Sequence, residues 1–358
     1  MADVSRRDRA QMLVMASLLI ASVLVGLALV VNSTIYTENL ATRETSSEAE
    51  RVAENRQLAA NDLQELIDRS NAAVTEDNFT AVENGYTNDL AVWNRSLERQ
   101  YQRTGRFVEY HPNETVEGTR IQQTNASRNF TAGDESAGKA EWTLVNDTTR
   151  AGEFEMTVDR TELLSAPAGY VLDTIFGETF NVVIENETGH QWRVYLFQDD
   201  TVASNRAYLM VETPGSFEFD PDTDDMSDIS RTDYCTTTDE NVSLDLVEGT
   251  FDGEECSDLS FYTDDVTGTP HNISYANTKT GGVSLPLVPN IPADDRVTGT
   301  YNLTVDTGAD RTPYYAPTSG DDPNAKAVIY EASVDAEFRS ESVVYRNENL
   351  RARWSEVA

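Results

Sequence analysis

The densest set of potential ligands in the chain is Asp220-Pro221-Asp222-Thr223-Asp224-Asp225, followed by Asp228 and Asp233. Alternating Asp at this spacing can turn several oxygens onto one Ca²⁺, a hard cation that takes about 6–8 of them. Asp220, Asp222, Asp224 and Asp225 are the candidate ligands. The run lacks the Gly at the sixth position of a calcium loop, and Arg231 stands where a closing Glu belongs. With 62 Asp and Glu in the chain, the competing reading is a solvated acidic loop. His111, His190 and His271 are isolated from one another, and no HExxH, CxxC, G-x-S-x-G or P-loop pattern occurs. No catalytic residue is assigned, Ca²⁺ is the one cofactor considered, and enzymatic activity is not expected.

Two other kinds of residue carry covalent chemistry. Cys235 and Cys256 are the two cysteines of the chain. Two cysteines outside the cell pair as a rule, and closing a loop of roughly 20 residues contributes about 3 kcal/mol in the chain-entropy account. N-x-[S/T] sequons stand at Asn32, Asn78, Asn94, Asn113, Asn125, Asn129, Asn146, Asn186, Asn241, Asn272 and Asn302. Asn32 lies too near a membrane to be a good acceptor; the other ten are candidate glycosylation sites.

All of this presupposes a chain exported across a membrane, and the N-terminus supplies the means. No charged residue occurs from Ala10 to Thr37, and Met12–Val31 is apolar except for Ser17 and Ser22. At about 1.5 Å per residue, such a run covers about 30 Å, the hydrocarbon thickness. It is longer than the apolar region of a secretory signal peptide, and no A-x-A pattern follows it. A transmembrane helix over residues 12–35 is therefore expected, with lipid as its partner. Arg6, Arg7 and Arg9 precede it, and the next basic residue after it is Arg43. Positive-inside logic then places residues 1–11 in the cytoplasm, too short a tail for a kinase or receptor output module, and the rest outside.

The formal net charge of −35 argues against a nucleic-acid partner, because phosphates would be repelled. Lys occurs only as Lys139, Lys279 and Lys326. Dense carboxylates with almost no Lys suit concentrated salt, where the Debye length falls to about 3 Å near 1 M. In this respect the composition resembles that of halophilic archaeal proteins. The junction Arg9-Ala10-Gln11 before a long apolar helix resembles the class III signal of archaellins and archaeal type IV pilins. That resemblance implies cleavage between Ala10 and Gln11, which leaves the apolar helix on the mature protein. Ala10 stands where Gly is usual, and Met15 where many pilins carry Glu.

The elements that would position these residues read as α+β. Residues 36–106 are expected to be helical: Val52, Ala59 and Leu66 recur at heptad spacing with Ala49 and Leu63, and no Gly or Pro interrupts 38–75. This stretch is either a stalk continuing the membrane helix or an amphipathic helix packed on its own domain. A second helix over about 79–103 places Leu90, Trp93, Leu97 and Tyr101 on one face. From 107 to 358 the pattern changes to period two: Phe154, Met156 and Val158; Val242, Leu244 and Leu246; Tyr301, Leu303 and Val305; and Val328 through Phe338. An antiparallel β-rich domain with one wet face follows, as a sandwich or a helix-backed sheet. The expected function is that of a single-pass, acidic, glycosylated cell-surface protein with a structural or adhesive, pilin-like role, partnered by similar subunits or envelope proteins. The alternative is a membrane-tethered extracellular enzyme or solute-binding domain.

Overall fold

The computed structural model describes residues 2–73, 77–132, 142–164, 179–198, 206–214, 234–278, 297–307, 315, 322–341 and 344–353. One unbroken helix, α1 (Ala2–Ala73), contains both the apolar N-terminal run and the amphipathic stretch beyond it. Gln11–Ser33 is long and apolar enough to cross a membrane, and none of it is buried in the protein. Further along the same helix, Ala59, Leu63, Leu66, Ile67 and Ser70 are buried. Residues at i, i+3, i+4, i+7 and i+8 share one helical face, so their burial marks a packed stripe. Helix α2 (Phe79–Gln102) buries Val82, Tyr86 and Leu90 and is capped at its start by Asn78, whose Oδ1 accepts from Ala81 N at 3.3 Å.

Strands begin at Phe107. In chain order they are β1 (Phe107–Gln123), β2 (Trp142–Thr148), β3 (Ala151–Asp159), β4 (Asn181–Asn186), β5 (Gln191–Gln198), β6 (Ala207–Glu212) and β7 (Cys235–Thr237). These are followed by β8 (Asn241–Asp245), β9 (Thr250–Phe251), β10 (Glu254–Glu255), β11 (His271–Ala276), β12 (Gly299–Val305), β13 (Asn324–Arg339) and β14 (Val344–Arg353). They form an eight-stranded sheet, β10-β9-β8-β3-β12-β1-β13-β14, and a six-stranded sheet, β2-β11-β4-β5-β6-β7. The class is α+β.

The described chain divides into two compact units. The smaller comprises Met1–Ala60, Asn94–His111 and Asp335–Glu348. Within it, the Asn94 carboxamide donates to Tyr110 O and accepts from Tyr110 N, both at 3.2 Å. Tyr101 donates to Asn55 at 2.6 Å and meets Phe338 edge-on. The larger comprises Asn61–Trp93, Pro112–Val334 and Asn349–Ala358.

In the larger unit the inward side chains of both sheets merge into one core. Ile121, Phe154, Met156, Leu244, Tyr301 and Leu303 come from the eight-stranded sheet, and Leu144, Val182, Ile184, Val194, Leu196 and Ile273 from the six-stranded one. This is a sandwich. It is also helix-backed. Asn71 of α1 donates to Ile329 O at 3.0 Å and accepts from Ile329 N at 2.8 Å, and Asp77 accepts from Ala327 N at 3.0 Å. Glu83 of α2 accepts from the Thr115 hydroxyl of β1 at 2.7 Å. The two architectures expected as alternatives coexist.

One expectation needs correcting. A fully wet outer face does not hold: Ala327–Val334 are buried on both faces of β13, and Val183, Tyr195, Phe197, Tyr208 and Met210 are buried on β4–β6 beside their inward neighbours. Glu331, a charged residue within the run Val328 through Phe338, is buried and held by Arg351 at 3.0 Å and Arg353 at 2.8 Å.

Candidate functional site: a polar groove on the larger sheet

The order β3-β12-β1 brings residues far apart in sequence onto one surface. In register, Gln122 faces Asn302, Asn302 faces Glu155, and Glu155 faces Asp245, giving a polar row across four strands. Their side chains point outward because Ile121, Tyr301, Met156 and Leu244 alternate with them into the core. Arg120, Gln122, Thr124, Glu155, Thr157 and Asn302 line a groove here of about 320 Å³. One wall is held by hydrogen bonds: Arg120 Nε donates to Asn302 Oδ1 at 3.0 Å, and Asn302 Nδ2 donates to Glu153 Oε1 at 2.6 Å. Glu153 is itself buried.

The groove offers one guanidinium, one carboxylate, two carboxamides and threonine hydroxyls. Donors and acceptors are mixed, as needed to bind a polar solute by hydrogen bonds.

Two buried polar arrangements lie elsewhere in the larger unit. Asp306, just beyond β12, accepts from the Thr148 hydroxyl at 2.9 Å, Thr149 N at 3.0 Å, Arg150 N at 3.1 Å and Arg150 Nε at 3.3 Å, and also from the Thr149 hydroxyl. Burial would raise its pKa, but the hydrogen bonds from Thr149, Thr148 and Arg150 outweigh burial and hold the carboxyl below the ordinary carboxylate range. A depressed folded-state pKa contributes stability that is present above the unfolded value, about 3.9, and is lost as pH falls through the folded one. Asp306→Asn is therefore expected to flatten the acid limb of the stability curve below about pH 4. Denaturant titrations of parent and variant from pH 7 downward measure this, and parallel acid limbs would refute it.

The second arrangement joins Tyr262 and His271. His271 Nδ1 donates to Thr269 O at 2.7 Å, so Nε2 is the acceptor facing the Tyr262 hydroxyl at 3.4 Å. That hydroxyl also accepts from Ala151 N at 3.1 Å. Burial pushes the His271 pKa down despite the Thr269 bond, and burial pushes Tyr262 up. Both stay neutral near pH 7, and the pair ties β11 to the start of β3.

The residues singled out by sequence fare differently. Cys235 and Cys256 are disulfide-bonded, with Cα atoms 5.9 Å apart. Asp220, Asp222, Asp224 and Asp225 lie outside the described residues, among which no group of three or more His, Cys, Asp or Glu is arranged to hold a metal. Ala10 and Gln11 fall within α1, Gln11 opening the apolar segment. Asn78, Asn113, Asn125, Asn146 and Asn241 are exposed. Asn129, Asn186 and Asn272 are half-buried; Asn186 Oδ1 accepts from Thr188 N and His190 N, each at 3.0 Å, and Asn272 Oδ1 from Asp147 N at 2.9 Å. Asn94 and Asn302 have both ends of the carboxamide committed to hydrogen bonds.

Residues 6–153 match the model of DUF7261, a family of unknown function. The matched stretch runs from the arginines before the apolar segment through α1, α2, β1 and β2 into β3. No curated protein and no solved structure matches the chain.

Proposed function

We propose that the chain is a single-pass surface protein of pilin-like kind, with a structural or adhesive role in the envelope of a halophilic archaeon. The observation that carries this reading is α1, in which a fully exposed apolar segment, Gln11–Ser33, shares one unbroken helix with the buried stripe Leu63–Ser70. Removing that segment from water requires lipid or other apolar helices, at roughly 25 cal/mol per Å². Arg6, Arg7 and Arg9 favour an N-terminus in the cytoplasm and an outer domain carrying the disulfide and the sequons. The charge of −35 with three Lys suits concentrated salt. The partners are lipid along residues 12–35 and pilin-like subunits or envelope proteins. The groove at Arg120, Glu155 and Asn302 favours a second reading, a membrane-tethered solute-binding domain.

Mass spectrometry of the native protein, after shearing of cells, tests the proposal. Expected are a mature N-terminus at Gln11, glycopeptides at exposed sequons such as Asn78, Asn125 and Asn241, unmodified Asn94 and Asn302, and protein in the sheared filament fraction. An intact Met1 peptide on a protein that stays with the membrane would sink the pilin-like role and leave the tethered reading. Recovery in the soluble cell fraction would sink both.

A further inference from the structure

The core between the two sheets contains a knot of aromatic rings. Phe130 lies 5.3 Å from Phe180, 5.2 Å from Tyr275 and 5.4 Å from Tyr301, centroid to centroid. Trp142 lies 6.2 Å from Tyr275 and 5.8 Å from Tyr315. Tyr275 comes from β11 of the six-stranded sheet and Tyr301 from β12 of the eight-stranded one, and their rings meet edge-on at 5.3 Å. Exposure is 0% for Tyr275 and 2% for Tyr301.

Buried Trp and Tyr usually find a partner for their polar end. Two members of the knot do: Trp142 Nε1 donates to Phe130 O at 2.9 Å, and the Tyr315 hydroxyl donates to Leu144 O. Among the described residues, the hydroxyls of Tyr275 and Tyr301 have no protein partner. Nor does Oε1 of Gln123, the residue facing Tyr301 across β1 and β12, although its Nε2 donates to Arg128 O at 3.0 Å and Gly299 O at 2.9 Å. A bare buried hydroxyl shifts the folding equilibrium against the native state by about tenfold. Two on rings that touch across facing sheets point to a shared solution.

We propose that the sandwich binds an ordered internal water shared by the Tyr275 and Tyr301 hydroxyls. A water held by two to four polar groups is an integral part of a core. This one links the two sheets by hydrogen bonds, where the rings themselves meet by packing and edge-to-face attraction. Each tyrosine hydroxyl donates to or accepts from it without giving up the ring packing.

Replacing either tyrosine with Phe deletes one oxygen and leaves the ring, so the sign of the effect decides the matter. Denaturant unfolding of the full-length protein in detergent micelles and molar KCl is the assay. With the water present, Tyr275→Phe and Tyr301→Phe each raise the unfolding constant about threefold to tenfold. The double variant costs less than the product of the two, because the second substitution removes a partner from a water already loosened. Variants as stable as the parent, or more stable, overturn the proposal, since deleting a bare hydroxyl relieves its desolvation. High-resolution density of the parent gives a second decision. A water peak within hydrogen-bond distance of both oxygens supports the site, and a hydroxyl bonded directly to a main-chain carbonyl overturns it.

Discussion

Gly299→Ala is expected to destabilise the protein by about 4 kcal/mol, enough to abolish folding in a marginally stable domain. Gly299 opens β12 with φ at +156° and faces Val158 of β3. A Cβ added there would lie 1.9 Å from Thr157 O and 3.0 Å from Cε2 of Phe130. The first obstacle is main chain held by the sheet, so it cannot rotate aside as a side chain would. The second is the hub of the aromatic knot. Overpacking alone costs about 1–3 kcal/mol. The shift would also strain the bonds of Gly299 itself, whose N donates to Arg128 O at 3.2 Å and whose O accepts from Gln123 at 2.9 Å; each is worth about 1 kcal/mol. Gly85→Ala is the matched control. It lies inside α2 with nothing within 4 Å of the added carbon, so a gain of about 1 kcal/mol is expected. Denaturant midpoints of the two variants should move in opposite directions. A Gly299→Ala midpoint within experimental error of the parent would show that the β3–β12 junction is looser than its geometry.

Loss of the disulfide is the second large effect. Cys235 begins β7, the outermost strand of the six-stranded sheet. Cys256 follows β10, the outermost strand of the eight-stranded sheet, and is buried, its N–H donated to Gly249 O at 2.9 Å. The bond therefore closes one flank of the sandwich. A closed loop of about 20 residues limits the unfolded chain by about 3 kcal/mol. The Cys235→Ser/Cys256→Ala variant should lose that amount, and reductant should lower the Tm of the parent while leaving the variant untouched. A thiol assay that finds two free sulfhydryls in the native protein would refute this.

The strands and helices differ in how plainly the sequence announces them. Phe154/Met156/Val158 and Tyr301/Leu303/Val305 alternate with polar residues, and each became a strand with those side chains in the core. Segments β4, β5 and β6 were missed. Val182–Ile184, Val194–Phe197 and Ala207–Val211 are unbroken apolar runs because both faces are covered, so no period of two survives to be read. Strand β1 was missed for the opposite reason: Pro112 and a mostly polar sequence hide it. The heptad face through Ala59 and Leu66 was legible, and its partner Asn71 was not, because its role depends on a strand 258 positions away.

The groove was harder still. Glu153, Glu155 and Thr157 alternate with Phe154, Met156 and Val158 in the sequence, but polar alternation is the usual sign of a wet face. What makes a groove is the neighbour order β3-β12-β1, and register between distant segments is not written in local spacing. Asn302 read as a sequon, whereas its carboxamide bridges Arg120 and Glu153. The disulfide needed no such knowledge, since two cysteines allow one pairing.

The reciprocal bonds between Asn71 and Ile329 have a consequence for amide exchange. A carboxamide that both donates and accepts imitates a peptide group, so at Ile329 the strand meets a counterfeit neighbour supplied by the protein's own helix. Asp77 does the same for the N–H of Ala327. The N–H groups of Ile329 and Ala327 can exchange with solvent only when Asn71 and Asp77 let go, so their protection reports how firmly the end of the helix holds the strand.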